Sequence, residues 1–151
     1  MQSRFEHISY LVSAIDRCIG QLEREEMEKQ GYKGAYAQYL AALSRYPHGL
    51  TPSELSVLCD RDKAAVSRCV GQMEKQGLLT RNAEQEQVYK AKLVLTPAGK
   101  QAAEFVCRRA QTAVEAVGDK LTQQQRQTMY EALEYIASGL EKLTREGIPQ
   151  E

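Results

Sequence analysis

Long hydrogen-bond donors and small side chains share one face of a helix that we predict over about Asp62 to Gln76. These residues are Lys63, Ala64, Ser67, Arg68 and Gln72. The apolar residues of the other face lie at helical spacing, which is typical of a stripe that packs on a core: Val66, Val70 and Met73. A face that meets only water is usually dense in Lys and Glu, so this mixture indicates contact with a partner.

The chemistry of this face suits the edges of DNA base pairs. An α-helix fits the major groove, which is ~12 Å wide, and Ala64 and Ser67 would let it approach closely. Arg68 can pair bidentately with guanine and Gln72 with adenine. Lys63 adds a further donor. The sequence therefore predicts a recognition helix.

A second short helix must precede and support the recognition helix. In "TPSE" at Thr51–Glu54, threonine can cap the helix, Pro52 fits its first position, and the glutamate completes a capping box. The four residues "CDRD" then separate the two helices, as in a helix-turn-helix. Thr51 and Ser53 open the supporting helix, where backbone N–H groups can hold a phosphate.

A β-hairpin should follow the recognition helix. "YKAKLVLT" alternates, with Tyr89, Ala91, Leu93 and Leu95 on one side. Lys90 and Lys92 lie on the outer side, where they would contact the DNA backbone or minor groove. The first strand should be short, near Leu79 to Asn82. The hairpin makes the module winged, and the predicted DNA contacts are Thr51, Ser53, Arg61, Lys63, Ala64, Ser67, Arg68, Gln72, Arg81, Lys90 and Lys92.

Further helices are predicted on both sides of this module, over about 3–30, 35–46, 97–119 and 123–145. The first and last carry narrow apolar stripes that suit a helix–helix seam between two copies. The residues assigned to this dimerisation seam are Phe5, Ile8, Val12, Met129, Leu133, Ile136 and Leu140. The expected fold class is mainly α with a small β-hairpin wing, a winged helix-turn-helix flanked by long dimerisation helices.

The length of 151 residues suits a single domain. We expect a winged helix-turn-helix lobe over about 35–96 and a helical dimerisation lobe over about 3–30 and 97–146. Net charge is zero, but residues 33–100 hold ten Lys and Arg against six Asp and Glu. The middle of the chain is therefore modestly basic, as a nucleic-acid-binding lobe requires.

Other classes of protein find little support in the sequence. There is no glycine-rich phosphate loop and no nucleophile motif, and only two histidines are available for acid–base chemistry, so we do not expect an enzyme or a cofactor. The four cysteines lack metal-ligand spacing, so no metal site is expected. The N-terminus does not read as a signal peptide and no run is apolar enough to span a membrane, which predicts a cytoplasmic protein.

The motifs "VSRCVGQMEKQGLLTR" and "LTPAG" resemble those of the MarR family of bacterial transcriptional regulators. The similar stretch runs from about Tyr36 to Lys100, and the helices at both ends agree in order. The resemblance implies a homodimer that reads a palindromic operator in double-stranded DNA. It also implies repression that is released by a small, often aromatic or phenolic, ligand. The family's wing usually carries Asp-x-Arg or Tyr-Arg, whereas this chain has Tyr89-Lys90, so the planar guanidinium is lost there.

The effector site and two rival functions stay open at this point. His7 and Tyr10 share a face of the first helix and Tyr36 and Tyr39 a face of the second, so the four side chains could line a pocket with a polar rim. The alternative is an aromatic core with locally satisfied hydroxyls. Cys18 would be the sensor in a redox-responsive regulator. A winged-helix module used only for protein contacts is the remaining rival.

Overall fold

The computed structural model describes residues 3–82 and 91–149. The described residues form α1 (Arg4–Lys29), α2 (Tyr36–Ser44), α3 (Pro52–Leu58), α4 (Lys63–Lys75), β1 (Leu79–Arg81), β2 (Leu93–Leu95), α5 (Pro97–Gly118) and α6 (Gln123–Glu146). This order confirms the predicted fold class, mainly α with a small β-hairpin wing. Of the predicted second strand, the segment Leu93–Leu95 is formed, whereas Tyr89 and Lys90 lie outside the described residues.

Threonine hydroxyls cap three of the described helices, as predicted for Thr51. Thr51 accepts from the backbone N–H of Glu54 in a capping box before α3, and Thr122 does the same with Gln125 before α6. The Thr96 hydroxyl accepts from the N–H of Gly99 at 3.1 Å and donates to the carbonyl of Gly77 at 2.5 Å. Thr96 therefore caps α5 and joins it to the end of α4.

One buried core joins α1 to α5. Helix α5 contributes Ala102, Ala103 and Val106. The largest fully buried side chains come from α1 to α4, from the residue before β1 and from β2: Met27, Tyr36, Tyr39, Leu40, Leu55, Val66, Val70, Met73, Leu78 and Leu93. The apolar stripe predicted for α4 is thus in the core, and this burial fixes which face of α4 points outward.

The two helices of the helix-turn-helix are separated by the four residues 59–62, as the sequence predicts. Asp60 takes up a left-handed backbone conformation with φ 47°, which Asp tolerates better than most residues. The Ser56 hydroxyl donates to the carbonyl of Arg61 and closes the turn. Asp62 then caps α4 by accepting from the N–H of Ala65 at 2.8 Å.

The wing is an antiparallel pair in which Leu79 lies opposite Leu95 and Arg81 opposite Leu93. Leu50 adds an isolated bridge to Leu93, which the sequence pattern did not predict. Gly99 allows α5 to start close to the wing, because a Cβ there would lie 1.8 Å from the carbonyl oxygen of Leu78. This contact gives the glycine of "LTPAG" a structural reason.

The chain divides into two compact units, Met1–Gln111 and Thr112–Glu151. The first holds the core and the winged helix-turn-helix. In the second, the guanidinium of Arg126 donates to the carbonyls of Gly118 at 3.2 Å and Leu121 at 2.6 Å and so closes the turn before α6. None of the residues of α6 is buried in the single chain.

Candidate nucleic-acid interface

The outward face of α4 carries the predicted recognition residues. Lys63, Ala64, Ser67 and Arg68 are all exposed, while Val66 and the rest of the apolar stripe are fully buried. The core therefore holds the helix by one side and presents the other to solvent. Exposed cations beside small residues are what a helix needs to enter a major groove.

Gln72 is predicted to contact a base, but its side chain is already engaged within the chain. Its Oε1 accepts a hydrogen bond from the Lys33 ammonium at 2.9 Å and from the Tyr36 hydroxyl at 3.3 Å. A bidentate contact with adenine needs that same oxygen as an acceptor. In this structure Gln72 therefore links the recognition helix to the start of α2.

Arg61 and Arg81 also have partners within the chain. Arg81 donates from Nε to Glu74 Oε1 at 2.8 Å and from Nη2 to Glu74 Oε2 at 3.2 Å, which ties β1 to α4. Arg61 is exposed and donates from Nε to Gln38 Oε1 at 3.4 Å. Both cations lie beside α4, and DNA contact would have to compete with these bonds.

The start of α3 holds a carboxylate where a phosphate contact is predicted. The backbone N–H and the hydroxyl of Thr51 donate to Glu54 Oε2 at 2.7 and 2.9 Å. These hydrogen bonds hold the pKa of Glu54 below its ordinary value, and the charge of Lys92 acts in the same direction. Ser53 is exposed. Because the Thr51 hydroxyl already donates to Glu54, Ser53 is the freer of the two hydroxyls. Lys92, the other predicted contact near this carboxylate's charge, is half-buried.

Two lysines near this face were not among the predicted contacts. Lys75 is exposed and follows Arg68 by seven residues, a spacing that places both on one face of α4 and that the sequence alone could have revealed. Lys33 reaches α4 through Gln72, which lies 39 residues further along the chain, so no local pattern signals it. Together they add positive charge around the recognition helix.

The four side chains predicted to line an effector pocket are not gathered in one place. Tyr36 and Tyr39 belong to the core, where burial raises the pKa of both phenols. His7 and Tyr10 are exposed near the start of α1. The aromatic-core alternative therefore describes Tyr36 and Tyr39 better, because ring packing uses the surface that a ligand would need.

A cleft of about 630 Å³ opens between α1, α2 and the start of α4, and Tyr39 lines it. Its polar lining carries both charge signs: Asp16, Arg17, Glu23, Arg24, Gln38 and Arg61. Ala65 and Cys69 of α4 complete the wall. Burial raises the pKa of the Glu23 carboxyl, and the charge of Arg45 opposes that shift. A molecule in this cleft would touch the recognition helix directly.

The cysteines show differing exposure. Cys18 is exposed on α1. Burial raises the thiol pKa of Cys59, Cys69 and Cys107, which lowers their thiolate fraction and hence their reactivity.

Among residues 3–82 and 91–149, no group of His, Cys, Asp or Glu is arranged to hold a metal ion. No described helix is both long and apolar enough to cross a membrane.

Similar proteins share the fold described above. A MarR-family regulator from Silicibacter pomeroyi is 22% identical, with 89% of this chain and 90% of that chain covered and a TM-score of 0.73. One from Methanosarcina mazei is 20% identical, with 91% and 92% covered and a TM-score of 0.77. One from Listeria monocytogenes, solved with 26mer DNA, is 15% identical, with 100% and 99% covered and a TM-score of 0.72.

The central part of the chain resembles one protein family in sequence. Residues 30–87 match the MarR family, while a comparison with curated protein sequences finds no match. The matched segment contains α2, α3, β1 and α4, the helix that carries the predicted recognition residues. Residues 30–87 thus have the sequence pattern of the MarR family, and the chain around them has the winged-helix fold of MarR-family transcriptional regulators, as its motifs predicted.

Proposed function

We propose that this chain is a sequence-specific DNA-binding transcriptional regulator that acts as a homodimer. The observation that carries the proposal is the outward face of α4, where exposed Lys63 and Arg68 flank the small residues Ala64 and Ser67. The full-length likeness to a MarR-family protein solved with 26mer DNA supports the same reading. In the proposed complex α4 lies in the major groove and the wing lies beside it.

The homodimer follows from exposed apolar surface outside the core. Phe5 and Val12 of α1 are 75% and 49% exposed, and Leu133 and Leu140 of α6 are 43% and 59% exposed. Apolar stripes of this length are uncommon on a monomer and usually mark an interface. We assign the occupant as a second copy, because the α1 and α6 stripes both have the narrow spacing of a helix–helix seam.

Dimerisation would place two recognition helices on one molecule. A two-fold dimer reads a palindrome whose half-sites lie one helical turn apart, roughly 34 Å. A conformational change that alters this spacing weakens binding to both half-sites at once. Repression by operator binding, relieved by such a change, is the regulatory mode that we propose.

The cleft beside Tyr39 is the proposed effector site. Three guanidinium groups, from Arg17, Arg24 and Arg61, suit a carboxylate, and Ala35, Ala65 and Cys69 offer apolar surface. A small aromatic or phenolic acid combines these two features. Because the cleft is walled by α4, such a ligand can prefer a conformation in which the recognition helices no longer match the operator. Equal affinity for both states would shift nothing.

The experiment that tests DNA binding starts from random duplexes. The wild type would be used to enrich duplexes from a random pool, and binding to the enriched duplex would be followed by fluorescence anisotropy at increasing salt. We expect a palindromic sequence and an affinity that falls linearly with salt on logarithmic axes. Failure to enrich any duplex, or binding without salt dependence, would favour the protein-contact module instead.

Effector binding is tested on the same complex. Phenolic acids would be titrated into the wild type and Arg24→Ala, with Arg4→Ala, which lies outside the cleft lining, as the control. We expect release from the wild type and from the control, and weaker release from Arg24→Ala. Equal release from all three would place the effector site elsewhere. Release by oxidants alone, abolished in Cys18→Ser, would support the redox-sensing alternative.

A further inference from the structure

Gly71, itself half-buried, lies midway along the outward side of α4. It follows Ala64 by seven residues and Arg68 by three, and it precedes Lys75 by four, so the four residues form one line along the helix. Val66, Val70 and Met73, which are fully buried, define the opposite side. The middle of the exposed face is therefore nearly bare, with a cation on each side of the glycine.

Nothing in residues 3–82 and 91–149 requires a glycine at this position. Gly71 is not among the glycines with positive φ, and a Cβ added there would have no neighbouring atom within 4 Å, apart from the adjacent helix backbone and chain neighbours. Gly99 differs in this respect, because a Cβ there would collide with Leu78. Glycine in a helix interior is less stable than alanine because it loses more backbone freedom on folding. The part of the chain that the structure describes therefore gives no internal reason for the stability lost at Gly71.

An external surface that approaches the helix closely supplies the missing reason. If the chain binds DNA as proposed above, the face that holds Gly71 is the one turned toward the base pairs. A Cα without a side chain offers no hydrogen-bond donor or acceptor, so it can only recognise shape and apolar surface. In the major groove the apolar feature that distinguishes one base from the others is the C5-methyl group of thymine.

We propose that Gly71 is a specificity-determining residue, the point of closest approach between the recognition helix and the major groove, and that it accommodates a thymine methyl group. Arg68 and Lys75 on either side would hold the DNA at this distance. The proposal rests on the DNA-binding function proposed above and adds to it the kind of base pair that faces the middle of α4.

Two variants of the full-length chain test the close approach. Gly71→Ala adds one methyl group to the face of α4, and Gly118→Ala adds one to a helical glycine that also has open space around it. We expect both to be at least as stable as the wild type in thermal unfolding. Gly71→Ala should bind the duplex enriched by the wild type about tenfold or more weakly, in the range of one mismatched base pair. Gly118→Ala should bind it as the wild type does.

Deoxyuridine identifies the facing base, because it differs from thymidine only by the methyl group. Each thymine of the half-sites would be replaced in turn, and binding by the wild type and Gly71→Ala compared. At one position we expect the replacement to weaken duplex binding by the wild type. The same replacement should restore part of the affinity that Gly71→Ala lost, because it removes the methyl group that the added alanine methyl would meet. If Gly71→Ala loses affinity and no deoxyuridine replacement restores any of it, the assignment of a thymine methyl group would be overturned.

The outcomes for Gly71 and for DNA binding as a whole are distinguishable. If the wild type binds the duplex and Gly71→Ala binds it equally well, the close-approach proposal is overturned and the DNA-binding function stands. Absence of any duplex binding by the wild type would overturn both. A larger substitution, Gly71→Leu, should weaken binding further than Gly71→Ala if the space is filled by DNA, and equal binding by the two variants would count against it.

Discussion

The guanidinium of Arg81 and the carboxylate of Glu74 form a two-pronged ion pair, with Nε–Oε1 and Nη2–Oε2 distances of 2.8 and 3.2 Å. The two side chains are 29% and 28% exposed. Glu74 belongs to the recognition helix and Arg81 to the first wing strand, so the pair sets the position of the wing relative to α4. Arg81, which was predicted only as a DNA contact, therefore has a structural role.

Arg81→Ala should lower the free energy of unfolding by about 1 kcal/mol, the usual net worth of a charged hydrogen bond that is partly exposed. Its effect on binding to the enriched duplex should be smaller than that of Arg68→Ala. Urea unfolding and anisotropy measure the two quantities. A variant of unchanged stability that loses as much DNA affinity as Arg68→Ala would make Arg81 a direct contact.

Arg68→Ala should reduce binding to the enriched duplex by about 1–3 kcal/mol and binding to random duplex by less, because a bidentate base contact carries specificity. The exposed Arg145 on α6 provides a matched control, and Arg145→Ala should bind both duplexes as the wild type does. Equal losses on both duplexes would assign Arg68 to the phosphate backbone.

Gln72→Ala should destabilise the fold by about 1 kcal/mol, because Lys33 and the Tyr36 hydroxyl lose their acceptor. The base preference of the protein should not change. Repeating the duplex selection with this variant measures that preference, and chemical unfolding measures its stability. If the selected sequence changes at one position of each half-site, Gln72 reads a base as its side-chain type first indicated.

Stability in acid should depend on Glu26, which joins α1 to α5. Hydrogen bonds from Lys29 and then Arg109 hold the pKa of Glu26 below its ordinary value of 4.5, although burial opposes them. A carboxyl with a lowered folded-state pKa stabilises the fold above its unfolded pKa, and this stability is lost as pH falls through the folded pKa.

The variant Glu26→Gln should therefore lose less stability than the wild type as pH is lowered from 7 to 3. Urea unfolding at a series of pH values follows the difference. Glu25→Gln, which changes an exposed neighbour, should retain the wild-type pH dependence. A wild-type profile in Glu26→Gln would show that the carboxylate contributes nothing to the acid response.

Replacing Leu133 and Ile136 by glutamate should convert the proposed dimer to a monomer, because charges placed in an apolar seam cost several kcal/mol. Light scattering at micromolar concentration measures the mass. Tyr135 is 82% exposed and lies between the two positions but outside the stripe, so Tyr135→Glu should stay dimeric. A wild type that is a folded monomer would contradict the seam.

Features set by neighbouring residues were predictable from the sequence, and contacts between distant residues were not. The threonine caps, the four-residue turn and the buried stripe of α4 follow from local hydrogen bonding and helical period. The ion pair of Arg81 with Glu74 joins a strand to a helix, and the Gln72–Lys33 bond spans 39 residues. The periodicity of residue types along the sequence therefore does not predict either contact. Side-chain type identifies hydrogen-bond donors and acceptors, but it does not reveal which of them are used inside the chain.

The exposure of α6 has a consequence for the amount of this protein in a cell. Partner binding stabilises a folded chain by mass action. In the proposed homodimer, α6 acquires its buried surface from a second copy, so the melting temperature should rise with protein concentration. At low abundance the unpaired chain would spend more time with this helix open to proteolysis. The level of the regulator would then set its own lifetime, with scarce copies removed faster than plentiful ones.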